Sequence, residues 1–392
     1  MIREKLHPKV PHLRFPEFHG EWEKCKLGDI ATLTKGSGIS KDQRSATGTP
    51  CILYGELYTT YKSEVIDYVV SKTDISDKNL VRSCANDIII PSSGETAIDI
   101  STARCVLSPD VLLGGDLNII RLKDGDGRFF SYQLNGVRKH DIAKIAQGVS
   151  VVHLYGESIK GLTVSFPSNK EQQKISTLLS LIDERITTQS KLIGKLESLI
   201  KGIVDCTILR KEKNAIVGDV CSISEQIRAE ANIDDIITVR LHGKGVCKSS
   251  AENLQLGATQ YYRRRAGQLI YGKQNFHNGA IGIVPISLDN GITSKDIPSF
   301  DIDEMKCNSV YLLAQLQSPQ YYKPAEALTT GTGSKRLKEE TFLKMPIVLP
   351  NKREQDNIAV LIHRVSMNLG HAKKLLELLS IQKQFLLRQM FI

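Results

Sequence analysis

The chain has 392 residues and a net charge of +9, and its 41% hydrophobic and 24% charged residues are typical of a globular protein with room for two domains. It has no run of about 18 uncharged apolar residues, which excludes a membrane-spanning helix, and Met1–Pro11 lacks the apolar stretch of a signal peptide. The eight cysteines form no Cys-x-x-Cys pair, which favours a reduced, cytoplasmic chain over a zinc protein.

The first predicted elements are an N-terminal segment, residues 1–20, and an α+β domain, residues 21–168. Its clearest strand is the β-rich run 86–90, which leads into a polar turn. A last strand at 162–166 runs into Pro167, and proline suits the first turn of a helix. We therefore expect a domain of many short strands that ends where a helix begins.

A long helical spacer is predicted over residues 169–212. Its apolar residues recur at alternating steps of four and three, which is the heptad pattern of a coiled coil. The seam consists of Ile175, Leu179, Ile182, Ile186, Gln189, Ile193 and Leu196. The 36 residues from Glu171 to Cys206 would form a helix about 54 Å long at about 1.5 Å per residue.

The same organisation returns 183 residues later, with a second domain at 213–350 and a second helical spacer at 351–392. The residues Pro167, Glu171, Gln172 and Ile175 recur as Pro350, Glu354, Gln355 and Ile358. The second seam consists of Ile358, Ile362, Val365, Leu369, Leu376 and Leu379. We predict an internal pseudo-twofold duplication, with two similar α/β domains separated by two long antiparallel coiled-coil helices. A coiled coil that only dimerises the protein is the alternative for the helices.

These features together resemble the specificity subunit of type I restriction-modification systems. The segments 11–18, 20–23 and 27–29 are similar to that family's N-terminal signature. The Pro-x-x-x-Glu-Gln-x-x-Ile pattern at 167–175, repeated at 350–358, is similar to the start of its two helical regions. The resemblance covers nearly the whole chain, and the order of domain, helix, domain and helix is specific to that family.

The resemblance implies a DNA-binding subunit whose two target recognition domains each read one half of a split, asymmetric sequence. The helices would set the spacing and dock two modification subunits, which methylate adenine with S-adenosylmethionine. Restriction subunits would add a motor and nuclease that use ATP and Mg²⁺. The chain itself would bind no cofactor or metal. A non-enzymatic scaffold that binds protein partners is the alternative.

The sequence also lacks the motifs of the catalytic subunits. An adenine methyltransferase needs an Asn/Asp-Pro-Pro-aromatic motif, and no Pro-Pro pair occurs. Gly331–Lys335 has the wrong spacing for the phosphate-binding loop of an ATPase. Glu304-Met305-Lys306 fits a nuclease motif only loosely, because three-residue matches are common by chance. We therefore predict no catalytic centre.

The first domain offers two candidate loops for contacting DNA. Side chains with fixed donors and acceptors are needed to read base edges, whereas lysine suits phosphate. The candidates are Tyr54, Glu56, Tyr58, Thr59, Lys62, Ser92, Ser93 and Glu95. Glu56 is expected to accept a hydrogen bond from a cytosine amine. For each residue, a surface or packing role is the alternative.

The second domain offers more cationic candidates at the corresponding positions. They are Arg240, His242, Lys244, Arg263, Arg264, Arg265, Lys273, Gln274, Asn275, His277, Asn278, Lys335 and Arg336. The arginine run suits guanine or phosphate, and the amides suit adenine. If Arg264 reads a base, its replacement by alanine should weaken binding by roughly 1–3 kcal/mol. Because the loops of the two domains differ, the target should be asymmetric.

Overall fold

The computed structural model describes residues 9–76, 79–249, 259–331 and 335–392. The chain forms two compact units, Met1–Ser190 with Lys374–Ile392 and Lys191–Lys373. The start of the predicted N-terminal segment, residues 1–8, and the middle of the Gly331–Lys335 motif, residues 332–334, lie outside the described residues.

The first unit combines short strands with short helices. Its strands are Glu23–Lys26 (β1), Ala31–Lys35 (β2), Arg44–Ser45 (β3), Thr49–Ile52 (β4), Val65–Ile66 (β5), Ser71–Thr73 (β6), Asp87–Pro91 (β7), Ser93–Gly94 (β8), Arg104–Val106 (β9), Leu112–Leu113 (β10), Leu117–Leu122 (β11), Val152–His153 (β12) and Thr163–Phe166 (β13). Its helices are Leu27–Ile30 (α1), Glu56–Thr59 (α2), Ala97–Ile100 (α3), Gly127–Asn135 (α4), Lys139–Ile145 (α5), Gly156–Lys160 (α6) and the beginning of Asn169–Val204 (α7), with a 3-10 turn at Lys41–Gln43.

The core of the first unit surrounds strand β7, all of whose residues are buried. This strand lies inside a sheet with the strand order β2-β11-β7-β9-β5, and Ile89 pairs with Ile119 across it. A second sheet has the order β10-β4-β6-β3, and short pairs join β1 to β13 and β8 to β12. Continuous apolar runs such as β7 are typical of strands covered on both faces.

The second unit has the same kind of elements. Its strands are Ala215–Ile216 (β14), Cys221–Ile223 (β15), Arg228–Ala229 (β16), Ile237–Val239 (β17), Val246–Lys248 (β18), Tyr261–Arg263 (β19), Leu269–Tyr271 (β20), Ile281–Ile283 (β21), Ile292–Ser294 (β22), Ser299–Ile302 (β23) and Pro346–Ile347 (β24). Its helices are Ser309–Leu316 (α8), Pro319–Tyr322 (α9), Glu339–Leu343 (α10) and most of Lys352–Gln389 (α11), with a π-helical turn at Asp205–Leu209 and 3-10 turns at Val217–Asp219, Ile233–Asp235, Phe276–Asn278, Ile286–Leu288 and Lys323–Leu328. Its sheets have the orders β15-β23-β20-β21, β16-β19-β22, β17-β18 and β14-β24.

The two long helices predicted from the heptad pattern are confirmed as α7 and α11. In the first unit the seam residues Ile175, Leu179 and Ile182 are buried. In the second unit the helix segments run antiparallel, since Glu197 pairs with Lys373 at 2.8 Å while Ile200 and Ile362 line one cavity. Within the described residues, no helix is long and apolar enough to cross a membrane.

A buried glutamine attaches each long helix to the domain before it. In the first unit, Gln172 Oε1 accepts from the backbone N–H of Asp126 at 3.0 Å, and its Nε2 donates to the carbonyl of Pro167 at 2.8 Å. In the second, Gln355 Oε1 accepts from the N–H of Asn308 at 2.9 Å and its Nε2 donates to Pro350 at 2.8 Å. Asp126 and Asn308 are the N-cap residues of α4 and α8. In each unit the glutamine therefore ties the start of the long helix to the start of a domain helix.

Candidate nucleic-acid interface

In the first unit, four of the predicted residues line one open cavity of about 780 Å³. They are Tyr54, Glu56, Tyr58 and Thr59, which lie in or beside α2. Much of the remaining lining comes from residues 38–41, 43–44 and 114–116, which were not predicted. The backbones of Gly36 and Gly114 lie in close contact next to this cavity. A Cβ added at Gly36 would lie 2.0 Å from the carbonyl oxygen of Gly114.

Glu56 is a correction to the sequence prediction. Its side chain is only 8% exposed, accepts from the backbone N–H of Leu53 at 2.9 Å and accepts from the hydroxyl of Ser71. Both carboxylate oxygens therefore have partners inside the protein. The sequence-based role as an acceptor for cytosine does not fit this geometry. Its Oε1 instead lies 3.6 Å from Nη1 of Arg44, an arginine that the sequence reading missed.

The segment that follows β7, residues 92–95, adjoins this cavity through Asp116. The backbone N–H of Ser92 donates to the carbonyl of Asp116 at 2.8 Å, and Ser92 itself is buried. Ser93 pairs with His153 between β8 and β12, and Glu95 is exposed. Burial raises the pKa of Tyr58, and the nearby ionisable groups of Tyr54 and Glu95 add to the rise.

Lys62 lies apart from the other candidates of the first unit. Its Nζ donates to the carbonyl of Tyr58 at 3.2 Å, and its side chain is exposed. It lines a smaller cavity, about 290 Å³, together with Asp183 and Lys383 of the long helices. The structure therefore does not place Lys62 in the wall of the larger cavity.

In the second unit, two predicted loops meet directly. The turn between β17 and β18 contains His242, whose backbone has φ 61° and whose N–H donates to the carbonyl of Asn278 at 2.7 Å. The N–H of Gly243 donates to the carbonyl of Gly279 at 2.9 Å. These two hydrogen bonds join the β17–β18 turn, which carries Arg240, His242 and Lys244, to the segment that carries Gln274, Asn275, His277 and Asn278.

The side chains of this surface differ in how free they are. Asn278 Nδ2 donates to Oδ1 of Asn275 at 3.2 Å and lies 3.3 Å from Nε2 of His277. Among the residues the structure describes, Arg240, His242 and Lys244 are exposed and form no ion pair. The exposed cations Arg240 and Lys244 are therefore on the β17–β18 turn, while residues 274–278, the amide loop, are organised by their own hydrogen bonds.

The remaining cations near the amide loop are already paired. Lys273 Nζ lies 2.6 Å from Glu339, and its side chain is mostly buried. Lys335 Nζ lies 2.9 Å from Glu326, and Arg336 Nη1 lies 3.2 Å from Asp296. Exposed pairs of this kind are weak, so Lys335 and Arg336 can exchange partners at little cost, whereas Lys273 is a structural residue.

The arginine run divides between surface and interior. Arg263 and Arg265 are exposed and line a cavity of about 360 Å³. Arg264 is fully buried and donates to the hydroxyls of Thr293 and Ser299, at 2.8 Å each. Burial lowers the pKa of Arg264 to about 10. The predicted base contact by Arg264 is therefore corrected, because its guanidinium is engaged inside the protein.

No group of three or more His, Cys, Asp or Glu in the described parts of the chain could hold a metal ion. Four further lining residues of the 780 Å³ cavity, Lys41, Gln43, Arg44 and Asp116, were not predicted from the sequence. Asp116 is distant from Tyr54 in the chain and β4 separates Arg44 from Tyr54, so no local pattern groups these residues.

Comparisons with known proteins identify relatives of this arrangement. Residues 19–198 match the family model of the type I restriction modification DNA specificity domain. The specificity subunit of the type I restriction enzyme MjaVIII from Methanocaldococcus jannaschii is 20% identical over 394 residues, covering 91% of this chain and 88% of the relative.

The chain also shares its fold with the S subunit of a type I restriction-modification system from M. genitalium, with a TM-score of 0.66, 16% identity and coverage of 98% of this chain and 99% of the other. A structure described as addressing complex assembly and conformational transition of the type I R-M system matches with a TM-score of 0.51 and 12% identity over 94% of this chain and 97% of the other.

Proposed function

We propose that the chain is a specificity subunit of a type I restriction-modification system and that it reads the DNA target for such a complex, because residues 19–198 match the family model of that DNA specificity domain and the MjaVIII specificity subunit is similar over 91% of the chain. One observation carries this proposal: both units attach their long helix through the same glutamine contact, but they present different side chains on their surfaces. Gln172 and Gln355 make equivalent contacts, yet one unit presents tyrosines and Arg44 while the other presents Arg240 and an amide loop. Two unlike surfaces on one repeated frame suit the two halves of an asymmetric target.

We assign the recognition domains to residues 21–168 and 213–350, the spacers to 169–212 and 351–392, and the N-terminal segment to residues 1–20. Each spacer contains one long helix, α7 or α11. A helix of 36 residues spans about 54 Å, whereas one turn of DNA spans about 34–36 Å. The helices are therefore long enough to separate two readers.

The exposed and half-buried residues of the two surfaces are the proposed DNA contacts. In the first domain, Tyr54, Tyr58, Thr59 and Glu95 border the cavity or its neighbouring loop. In the second domain, Arg240, His242, Lys244, Gln274 and Asn275 belong to two segments that hydrogen bonds join. Arg263 and Arg265 are proposed to contact phosphate, because exposed arginines without a fixed carboxylate neutralise the DNA backbone well.

The partners of the complex are proposed to supply all chemistry. Two modification subunits would bind S-adenosylmethionine and dock on the spacers, and restriction subunits would bind ATP and Mg²⁺. The support for docking is apolar surface on the long helices, where Leu181, Leu192, Leu361 and Leu375 are each more than 40% exposed. Exposed leucines at these positions suit packing against further helices.

The proposal is tested by mapping methylated adenines. The chain and its neighbouring modification subunit are expressed together in a host without its own adenine methylation. We expect one split, asymmetric motif that disappears when this chain is omitted. Methylation that is unchanged without the chain would contradict the proposal and favour a scaffold that binds only proteins.

A matched pair of variants refines this test. Arg240→Ala removes an exposed cation from the proposed surface, and Lys344→Ala removes an exposed cation elsewhere in the same unit. Arg240→Ala should lower methylation or change the bases accepted in one half of the motif, whereas Lys344→Ala should leave both unchanged. Equal effects would remove the β17–β18 turn from the proposed interface.

A further inference from the structure

Arg44 occupies a defined place in the wall of the 780 Å³ cavity. Its Nε donates to the carbonyl of Lys41 at 3.3 Å, and its Nη1 lies 3.6 Å from Oε1 of Glu56. Its side chain remains 39% exposed, whereas that of Glu56 is 8% exposed. One part of the guanidinium is therefore held by the protein, and the rest borders open space.

Glu56 is itself held firmly. Its carboxylate accepts from the backbone N–H of Leu53 and from the hydroxyl of Ser71. A carboxylate fixed in this way limits the orientations of the arginine beside it, and an oriented guanidinium loses less entropy when it binds. Among the described residues, Arg44 has no other carboxylate partner.

We propose that Arg44 reads a guanine in the half-site bound by the first domain, with Glu56 as its positioning residue. This inference rests on the proposed function. Arginine donates two parallel hydrogen bonds to O6 and N7 of guanine, which is the commonest specific contact in the major groove. Tyr54 and Tyr58 line the same cavity and offer hydroxyl groups for neighbouring contacts.

Charge distinguishes guanine from phosphate as the ligand of Arg44. The buried carboxylate of Glu56 offsets much of the positive charge 3.6 Å away. Attraction to an anionic phosphate depends on that charge, while hydrogen bonds to the neutral acceptors of guanine depend on donor geometry. Arg263 and Arg265 of the second unit, by contrast, have no ion pair among the described residues and suit phosphate.

The test compares DNA duplexes bound by the complex of this chain with its modification subunits. Once adenine mapping has given the target, each base pair of both half-sites is changed in turn, and relative affinities are measured by competition. The wild-type complex should prefer guanine at one position of the first half-site by about 5- to 150-fold. Arg44→Ala should reduce that preference to nearly none, with the second half-site unchanged.

Two further variants separate positioning from folding. Arg44→Lys keeps the charge but lacks the planar pair of donors, so it should also lose the guanine preference. Glu56→Gln keeps an acceptor for the N–H of Leu53 but removes the charge beside Arg44. It should relax the same base position while its urea midpoint stays close to that of the wild type. Lys24→Ala, an exposed change on β1, is the matched control and should change nothing.

The outcomes are distinct. A uniform loss of affinity in Arg44→Ala, with the base preferences intact, would make Arg44 a phosphate contact and overturn the inference. A guanine preference retained by Arg44→Lys, or absent from the wild-type complex, would overturn it as well. Adenine methylation that does not depend on this chain would instead overturn the proposed function.

Discussion

At the scale of single residues, Arg264 joins two sheets of the second unit. Its donors reach Thr293 in β22 and Ser299 in β23, at 2.8 Å each, and the carbonyl of Ile297 at 2.9 Å. All three acceptors are neutral. A buried cation without a carboxylate is stable only when its donors are satisfied, and here hydrogen bonds take that role.

Replacing Arg264 by alanine should therefore affect folding more than base reading. The change leaves a cavity and removes the donors that Thr293 and Ser299 use, so we expect a loss of roughly 2–4 kcal/mol in the free energy of unfolding. Urea unfolding measures this loss. Arg265→Ala, at the exposed neighbour, should stay within about 0.5 kcal/mol of the wild type. A stable Arg264→Ala variant with altered base preference would return Arg264 to the interface.

The arginine run also illustrates what the sequence could not predict. Arg264 is buried between the exposed Arg263 and Arg265, but three consecutive arginines show no apolar pattern that would mark one of them as interior. The burial of Glu56 could not be predicted either, because it depends on Ser71 and Arg44, which come from other strands. The long helices were predictable because their heptad pattern is local, whereas the cavity wall is assembled from distant segments.

At the scale of elements, a buried ion cluster attaches helix α11 to the first unit. Lys383 Nζ lies 2.6 Å from Asp183 of α7 and contacts Glu64, and all three side chains are at most 13% exposed. Tyr132 donates its hydroxyl to Asp183 at 2.8 Å. In the second unit, the residues 183 positions away, Ile200 and Ser366, line a mainly apolar cavity instead. At these equivalent positions, the first unit therefore has a buried ion cluster and the second unit has a mainly apolar cavity.

Lys383→Met should destabilise the first unit strongly. The change leaves two carboxylates buried without a cation, which costs roughly 3–5 kcal/mol in comparable buried pairs. Lys374→Met on the same helix is the matched control, because Lys374 is 64% exposed and pairs with the exposed Glu377. Chemical unfolding of the full chain measures both. Equal stability of the two variants would show that the cluster contributes nothing to attachment.

The same cluster gives a pH dependence with a definite sign. Burial alone would lower the pKa of Lys383, but the charges of Glu64 and Asp183 raise it above the ordinary 10.5. A group whose pKa is raised in the folded state contributes fully to the free energy of unfolding below its unfolded pKa. That contribution is lost as the pH rises through the folded-state pKa. The stability difference between wild type and Lys383→Met should therefore shrink above about pH 10.5. A constant difference up to pH 12 would contradict this assignment.

At the scale of the whole molecule, residues 374–392 complete a unit that otherwise consists of Met1–Ser190. Phe391 packs on Trp22 and Phe129, with ring centroids 6.4 Å and 5.1 Å apart. Leu386 and Met390 are buried in the same core, and the N–H of Leu13 donates to the carbonyl of Gln389 at 2.8 Å. Segments distant in the chain therefore share one hydrophobic core.

Phe391→Ala should destabilise this core by roughly 3–5 kcal/mol, because a large buried ring leaves a cavity. Trp22 is the single tryptophan of the chain, so its fluorescence reports on this core alone. Phe385→Ala on α11 is the control, since that ring is 56% exposed. A wild-type fluorescence transition in Phe391→Ala would mean that the core tolerates the loss of this contact.

The shared core has a consequence for synthesis on the ribosome. Chains emerge from the N-terminal side, and domains ordinarily fold in that order. Here Trp22 and Phe129 must wait for Phe391, which is translated after the whole of the second unit. The first unit therefore completes its core only after the second unit has been synthesised, although most of the first unit is translated earlier. A chain interrupted in translation would leave an aromatic surface uncovered, which is the kind of surface that chaperones and proteases recognise.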